Sequence, residues 1–184
     1  MVDQFLIWEL TLNREYGDPR SVYRYMDGDG ILKAGPVWDV DRGTFQNQEN
    51  AKSYGNTDRV KPDKEWMCWR NTSDDNYIWY KQLIKDPIFQ AKVQERWAVI
   101  KPFLDMVPEM IAMYGENLAE SYKYDSAMWP TQKGDITKYK SDFKDWSGDE
   151  QISDWNELIN NFVTVYQERL AGMDELITSG KFTK

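Results

Sequence analysis

The chain has no histidine and a single cysteine, Cys68. The first absence removes histidine-dependent triads, histidine-ligated zinc and imidazole general bases together. The second removes an internal disulfide framework and a cysteine-based zinc site, and Cys68 itself reads as a small buried residue. Basic charge is scarce: 23 Lys and Arg against 31 Asp and Glu leave a net charge of −8. Nucleic acid and anionic membrane surfaces repel such a chain, so no nucleic-acid partner is expected. No stretch approaches the roughly 18 apolar residues of a transmembrane segment. Phe5 to Trp8 is too short, and too closely flanked by Asp3 and Glu9, for the core of a signal peptide. No glycine-rich phosphate loop of recognised spacing occurs. Chemistry in this chain therefore falls to carboxylates, hydroxyls, lysine and arginine.

What the chain has in plenty is aromatic residues, with 9 Trp and 11 Tyr among 184 residues. Such rings serve interfaces and sugar-binding surfaces, but here they recur mostly at helical spacing, which favours core packing. The length suits one domain. Asn13 to Phe45 is the stretch that organises it: a polar loop, a strand Ser21–Met26, a turn at Asp27-Gly28-Asp29-Gly30, and a strand Ile31–Val37. Acidic glycine turns between two runs of β-formers predict a hairpin. Asp39 and Asp41 follow at once, so the hairpin brings the loop before it near an acidic pair after it. The turn also resembles the start of a calcium loop, but Ile31 and Trp38 stand where its fifth and twelfth ligands belong. Arg14, Arg20, Arg24 and Arg42 cluster around this stretch, fit either to hold phosphate or to neutralise the carboxylates.

The remainder reads as helical. An apolar helix is expected over Val2 to Leu12. Gly43 to Thr72 is a long polar loop pinned by the island Trp66-Met67-Cys68-Trp69. A helix runs from Asn76 to Ile84, and another opens with Asp86 as its cap and Pro87 at its first position. That helix carries the stripe Phe89, Val93, Trp97 and Ile100. Val107-Pro108 marks a break or restart before a helix Glu109–Tyr122 that contains Gly115. Asp125 to Gly134 is a connector, Ile136 to Trp146 a short helix, and Ser153 to Ile177 the most regular helix, with Gly180 as its stop.

Phe5-Leu6-Ile7-Trp8-Glu9-Leu10, then Asn13, then Ser21-Val22-Tyr23-Arg24-Tyr25, then Gly35-Pro36-Val37-Trp38-Asp39-Val40-Asp41 together resemble the C-terminal half of the spore-coat-protein-H (CotH) kinase-like family. The resemblance implies a mainly α (α+β) fold: the helical C-terminal lobe of an atypical protein-kinase-like fold with a small β-hairpin near the N-terminus. It implies a single domain over 1–184, with the N-terminal nucleotide-binding lobe in another part of a longer parent and this chain inactive alone. In the parent, the γ-phosphoryl group of ATP passes to a Ser or Thr of a protein substrate with Mg²⁺ or Mn²⁺. Asp39 would hold the metal with Asp41 in support, Ser21 would fill a second metal-binding position, and Asn13 would organise the loop. The family's Asn-x-Asp reads Asn13-Arg14-Glu15 here, and Ser21 lies six residues beyond Glu15 rather than five. The catalytic base is therefore Glu15 or Asp18, and Arg42 is the candidate phosphate ligand. The family also implies a secreted or cell-envelope location. Two rival readings are a non-catalytic module binding envelope protein or glycan, and a carboxylate-only hydrolase using Glu15 and Asp39.

Overall fold

Phe5, Leu6, Trp8, Leu10 and Leu12 leave a helix no water-facing side wide enough to stay polar, and in the computed structural model all five are buried. Residues 1–12, 22–38, 65–69, 78–128 and 155–183 are described. Helix α1 spans Val2–Leu10, two residues short of the apolar pattern. The Thr11 hydroxyl donates to the Ile7 carbonyl at 2.8 Å, and Leu12 leaves the helix with a left-handed φ of 53°. A residue with a Cβ is disfavoured there, and complete burial of the Leu12 side chain offsets that strain.

The hairpin is present, with shorter strands than its β-forming runs predict. Strands β1, Arg24–Met26, and β2, Leu32–Ala34, pair antiparallel, with Arg24 opposite Ala34, Tyr25 opposite Lys33 and Met26 opposite Leu32. Gly30 donates to the Asp27 carbonyl at 3.0 Å and takes a φ of 72°, open to glycine without steric penalty. The Asp29 carboxylate accepts the Ile31 N–H at 2.9 Å, and the Lys33 ammonium bonds both Asp27 and Asp29. The Ile31 N–H and then Lys33 hold the Asp29 carboxyl below its ordinary value. Both acids are thus turn-formers paired with a lysine.

Helices α2 (Ile78–Leu83), α3 (Pro87–Leu104), α4 (Val107–Met128) and α5 (Trp155–Thr178) make the described chain mostly helical. The Asp86 carboxylate accepts the Ile88 N–H at 2.7 Å, capping α3 as expected. Pro102 lies in the last turn of α3, and Asp105-Met106 separates α3 from α4. The connector expected from Asp125 is a correction: α4 continues to Met128. Nothing in Asp125–Met128 opposes a helix, and the first sequence feature that does is Trp129-Pro130. Helix α5 ends in a Schellman motif: Lys181 N–H bonds the Leu176 carbonyl at 2.9 Å and Gly180 N–H the Ile177 carbonyl at 3.2 Å, with Gly180 at φ 70°. The short helix expected at Ile136–Trp146 and most of the Gly43–Thr72 loop lie outside the described residues.

Two compact units divide the chain, one of Met1–Thr44, Val60–Pro102 and Arg169–Lys184, the other of Phe45–Arg59 and Phe103–Glu168. In the first, the Phe5 ring lies 5.4 Å from Trp66, 5.5 Å from Tyr80 and 5.5 Å from Phe89. Trp66 stacks on Phe182 at 5.5 Å, and the indoles of Trp66 and Trp69 donate to the carbonyls of Lys181 and Phe182 at 2.7 and 3.0 Å. The island Trp66-Met67-Cys68 is buried as expected. Burial, followed by the nearby Glu9 carboxylate, pushes the Cys68 thiol well above its ordinary value, which suits an inert side chain. In the second unit, α4 and α5 meet at Gly115. A Cβ there would lie 2.7 Å from Ile159 Cγ2, and the Trp155 indole donates to the Gly115 carbonyl at 2.8 Å.

Gly115→Ala should therefore destabilise the fold by about 1–3 kcal/mol despite alanine's better helix propensity. Ile159→Ala in the same chain should recover part of the loss, which a urea-denaturation double-mutant cycle will measure. Burial also pushes the Tyr80 and Tyr166 hydroxyls from 10 to about 12. The unfolded chain releases these protons near pH 10, whereas the folded chain holds them. Stability from this source is complete below pH 10 and declines as pH rises toward 12. A Tyr80→Phe/Tyr166→Phe variant should melt lower at pH 8, yet lose less between pH 10 and 12 than the parent.

Candidate functional site

Glu9 sits within the most buried part of α1 and is 0% exposed, as is Arg169 on α5. An isolated carboxylate or guanidinium there would be strongly disfavoured, so each needs partners. The Glu9 carboxylate accepts the backbone N–H groups of Met67 and Cys68 at 2.6 and 2.9 Å. It also takes a bond from Arg169 Nη2 at 3.1 Å. The rest of the guanidinium fork reaches the Glu9 carbonyl at 2.8 Å through Nε and the Glu65 carbonyl at 2.9 Å through Nη1. The Met67 and Cys68 N–H groups open the short 3-10 helix Met67–Trp69, an end whose N–H groups favour an anion. Glu9 and Arg169 thus tie the end of α1, the island at Trp66–Trp69 and α5 into one polar knot. Asn13, where the polar loop begins, lies four residues beyond Glu9.

Neither residue was among the sequence-derived candidates, though a signal exists for both. Glu9 interrupts the apolar run Phe5–Leu10. Arg169 stands three residues after Tyr166 and four before Met173, on the stripe that α5 buries. A charge on a face that periodicity assigns to the core implies a buried partner.

The hairpin is held against α2 by Arg24. Its guanidinium lies 5.3 Å from the centre of the Trp79 ring. Arg24 also stands close enough to the Tyr80 hydroxyl to oppose part of the rise that burial causes. Tyr80 in turn donates to Gln4 Oε1 at 2.7 Å, which links α2 back to α1. After β2 the chain passes a cis Gly35-Pro36 bond and leads through exposed Val37 and Trp38 to Asp39.

All seven residues proposed for chemistry, Asn13, Glu15, Asp18, Ser21, Asp39, Asp41 and Arg42, lie outside the described residues, as do Arg14 and Arg20. What is described is their flanks: Leu12 before the loop, Val22 and Trp38 at the two ends of the hairpin, and the Glu9–Arg169 knot. Among the described residues no group of three or more Cys, Asp or Glu is gathered to hold a metal ion. No described helix is long and apolar enough to cross a membrane. The proposed donors are carboxylate and hydroxyl oxygens, the hard ligands that Mg²⁺ and Mn²⁺ prefer.

Along the sequence, α1 is followed by a polar stretch, the hairpin and the acidic pair Asp39 and Asp41, the order of parts in a kinase-like catalytic half. The family model described as "CotH kinase protein" matches residues 2–173. The chain belongs to that kinase-like family. Neither curated proteins nor solved structures gave a match.

Arg169→Met should destabilise the chain by about 3–5 kcal/mol, because it strands a buried carboxylate. Glu9→Gln should also destabilise it. The Glu9→Gln/Arg169→Met double variant should lose less than the sum of the two, measured by urea denaturation.

Proposed function

We propose that the chain takes part in metal-dependent transfer of the γ-phosphoryl group of ATP to a Ser or Thr hydroxyl of a protein substrate. The observation that carries this reading is the family match over residues 2–173. The described helix and hairpin are in keeping with the order that such a site needs.

In this reading Asp39 and Asp41, with the Ser21 hydroxyl, hold Mg²⁺ or Mn²⁺. The ion, when bound, offsets the negative charge of the phosphates. Asn13 orients the loop, and Arg42 grips phosphate oxygens with its planar fork. Glu15 or Asp18 takes the proton from the substrate hydroxyl as its oxygen bonds to phosphorus and ADP departs. A glutamate in place of the family's aspartate reaches about one methylene further, and a misplacement near 1 Å costs roughly a hundredfold in rate. Asp18, beyond Gly17, is the alternative that avoids this reach. A secreted or cell-envelope setting is part of this reading, supported by the resemblance to the family.

The test is calorimetry of Mn-ATP binding to the full-length protein beside its Asp39→Ala variant. Binding that requires metal and disappears in Asp39→Ala is the expected result. Absence of binding by the parent would overturn the kinase reading and leave a non-catalytic envelope-protein or glycan-binding module. If binding occurs, Glu15→Ala and Asp18→Ala should separate the two candidate bases. The true base should show a loss of roughly 10²–10⁴ in kcat.

A further inference from the structure

Helix α4 carries two apolar faces, and among the described residues one is packed and the other exposed. The inner face is fixed by Gly115 against Ile159 and by Tyr122, stacked on Trp155 at 4.5 Å. On the opposite side Met110, Met113, Tyr114, Tyr124 and Met128 recur at i, i+3, i+4, i+14 and i+18, and every one is between 46% and 71% exposed. Asn117 and Ser121, at i+7 and i+11, are the small polar residues within that stripe. From Met110 to Met128 it runs roughly 27 Å at the rise of an α-helix. Exposed apolar stripes of this length mark interaction surfaces.

Charge narrows the occupant. Exposed Glu109, Glu116 and Glu120 follow one another along a single flank of the stripe, with Lys123 bonded to Glu120 at 2.7 Å. A carboxylate row beside a methionine-rich strip is complementary to an amphipathic helix whose apolar face is bordered by lysine or arginine. Methionine's flexible, polarizable side chain adapts to such a face. The same row disfavours an anionic bilayer, and a net charge of −8 disfavours a second copy of this chain. We propose that the outer face of α4 is a docking site for a basic amphipathic helix of a partner protein. This surface is independent of the phosphoryl-transfer reading.

The probes are two 18-residue helical peptides, one of leucine and lysine and one of leucine and glutamate, titrated against the whole protein by fluorescence anisotropy. The lysine peptide should bind at least tenfold more tightly than the glutamate peptide, and more weakly as salt rises. Met113→Glu/Tyr124→Glu should reduce that binding at least tenfold, and Glu116→Lys/Glu120→Lys should reverse the preference. All of these residues are exposed, so far-UV melting should stay unchanged and report intact folding. Equal binding of both peptides, no binding, or binding unaffected by Met113→Glu/Tyr124→Glu would overturn the proposal. So would a dimer in sedimentation, or adsorption to phosphatidylglycerol vesicles, that Met113→Glu/Tyr124→Glu abolishes.

Discussion

The buried pair of Glu9 and Arg169 is the constraint on which the first unit depends. Each ion is unacceptable in the core alone, and together they are acceptable only because the backbone completes their coordination. Two N–H groups of the 3-10 turn and two carbonyls join the pair. The charges therefore fix three segments with directional bonds that hydrophobic contact alone does not supply. Aromatic stacking around Phe5, Trp66 and Phe182 then fills the space about that frame. The described stretch that begins with α1 ends at Leu12, a buried leucine in a left-handed conformation.

The second unit is organised on another principle. Its described contacts are between helices, and at Gly115 the missing side chain lets α4 pack closely on Ile159. Hydrogen bonds from Trp155 to the Gly115 carbonyl and from Tyr166 to the Leu104 carbonyl are the polar complement. In both units large rings supply apolar area while their N–H or O–H tips find backbone carbonyls. Trp and Tyr thus join Arg169 as donors within the two units.

Local chemistry was the most legible part of the sequence. Asp86-Pro87, Gly180 and Asp27-Gly28-Asp29-Gly30 each have one favoured local geometry, and all three adopt it. Burial of Trp66, Met67 and Cys68 follows from an apolar island in a polar stretch. Asp125 has the side chain of a connector residue, yet a helix tolerates it and α4 runs on to Met128. The pairing of Glu9 with Arg169 is illegible for a different reason: they stand 160 residues apart, and local periodicity cannot pair them. The residues proposed for catalysis were reached through family resemblance. Those positions fall outside the described residues, so their part in the reading rests on sequence.

That separation has a consequence for the chain during synthesis. At roughly 5–20 residues per second, the ribosome needs on the order of 8 to 30 s after making Glu9 to deliver Arg169. For that interval α1, the most apolar helix of the unit, has neither its charge partner nor the α5 surface that covers it. Contacts so distant in sequence close late and slowly. Until then the apolar surface of α1 stays uncovered, and a holdase that binds exposed apolar helices would shield it.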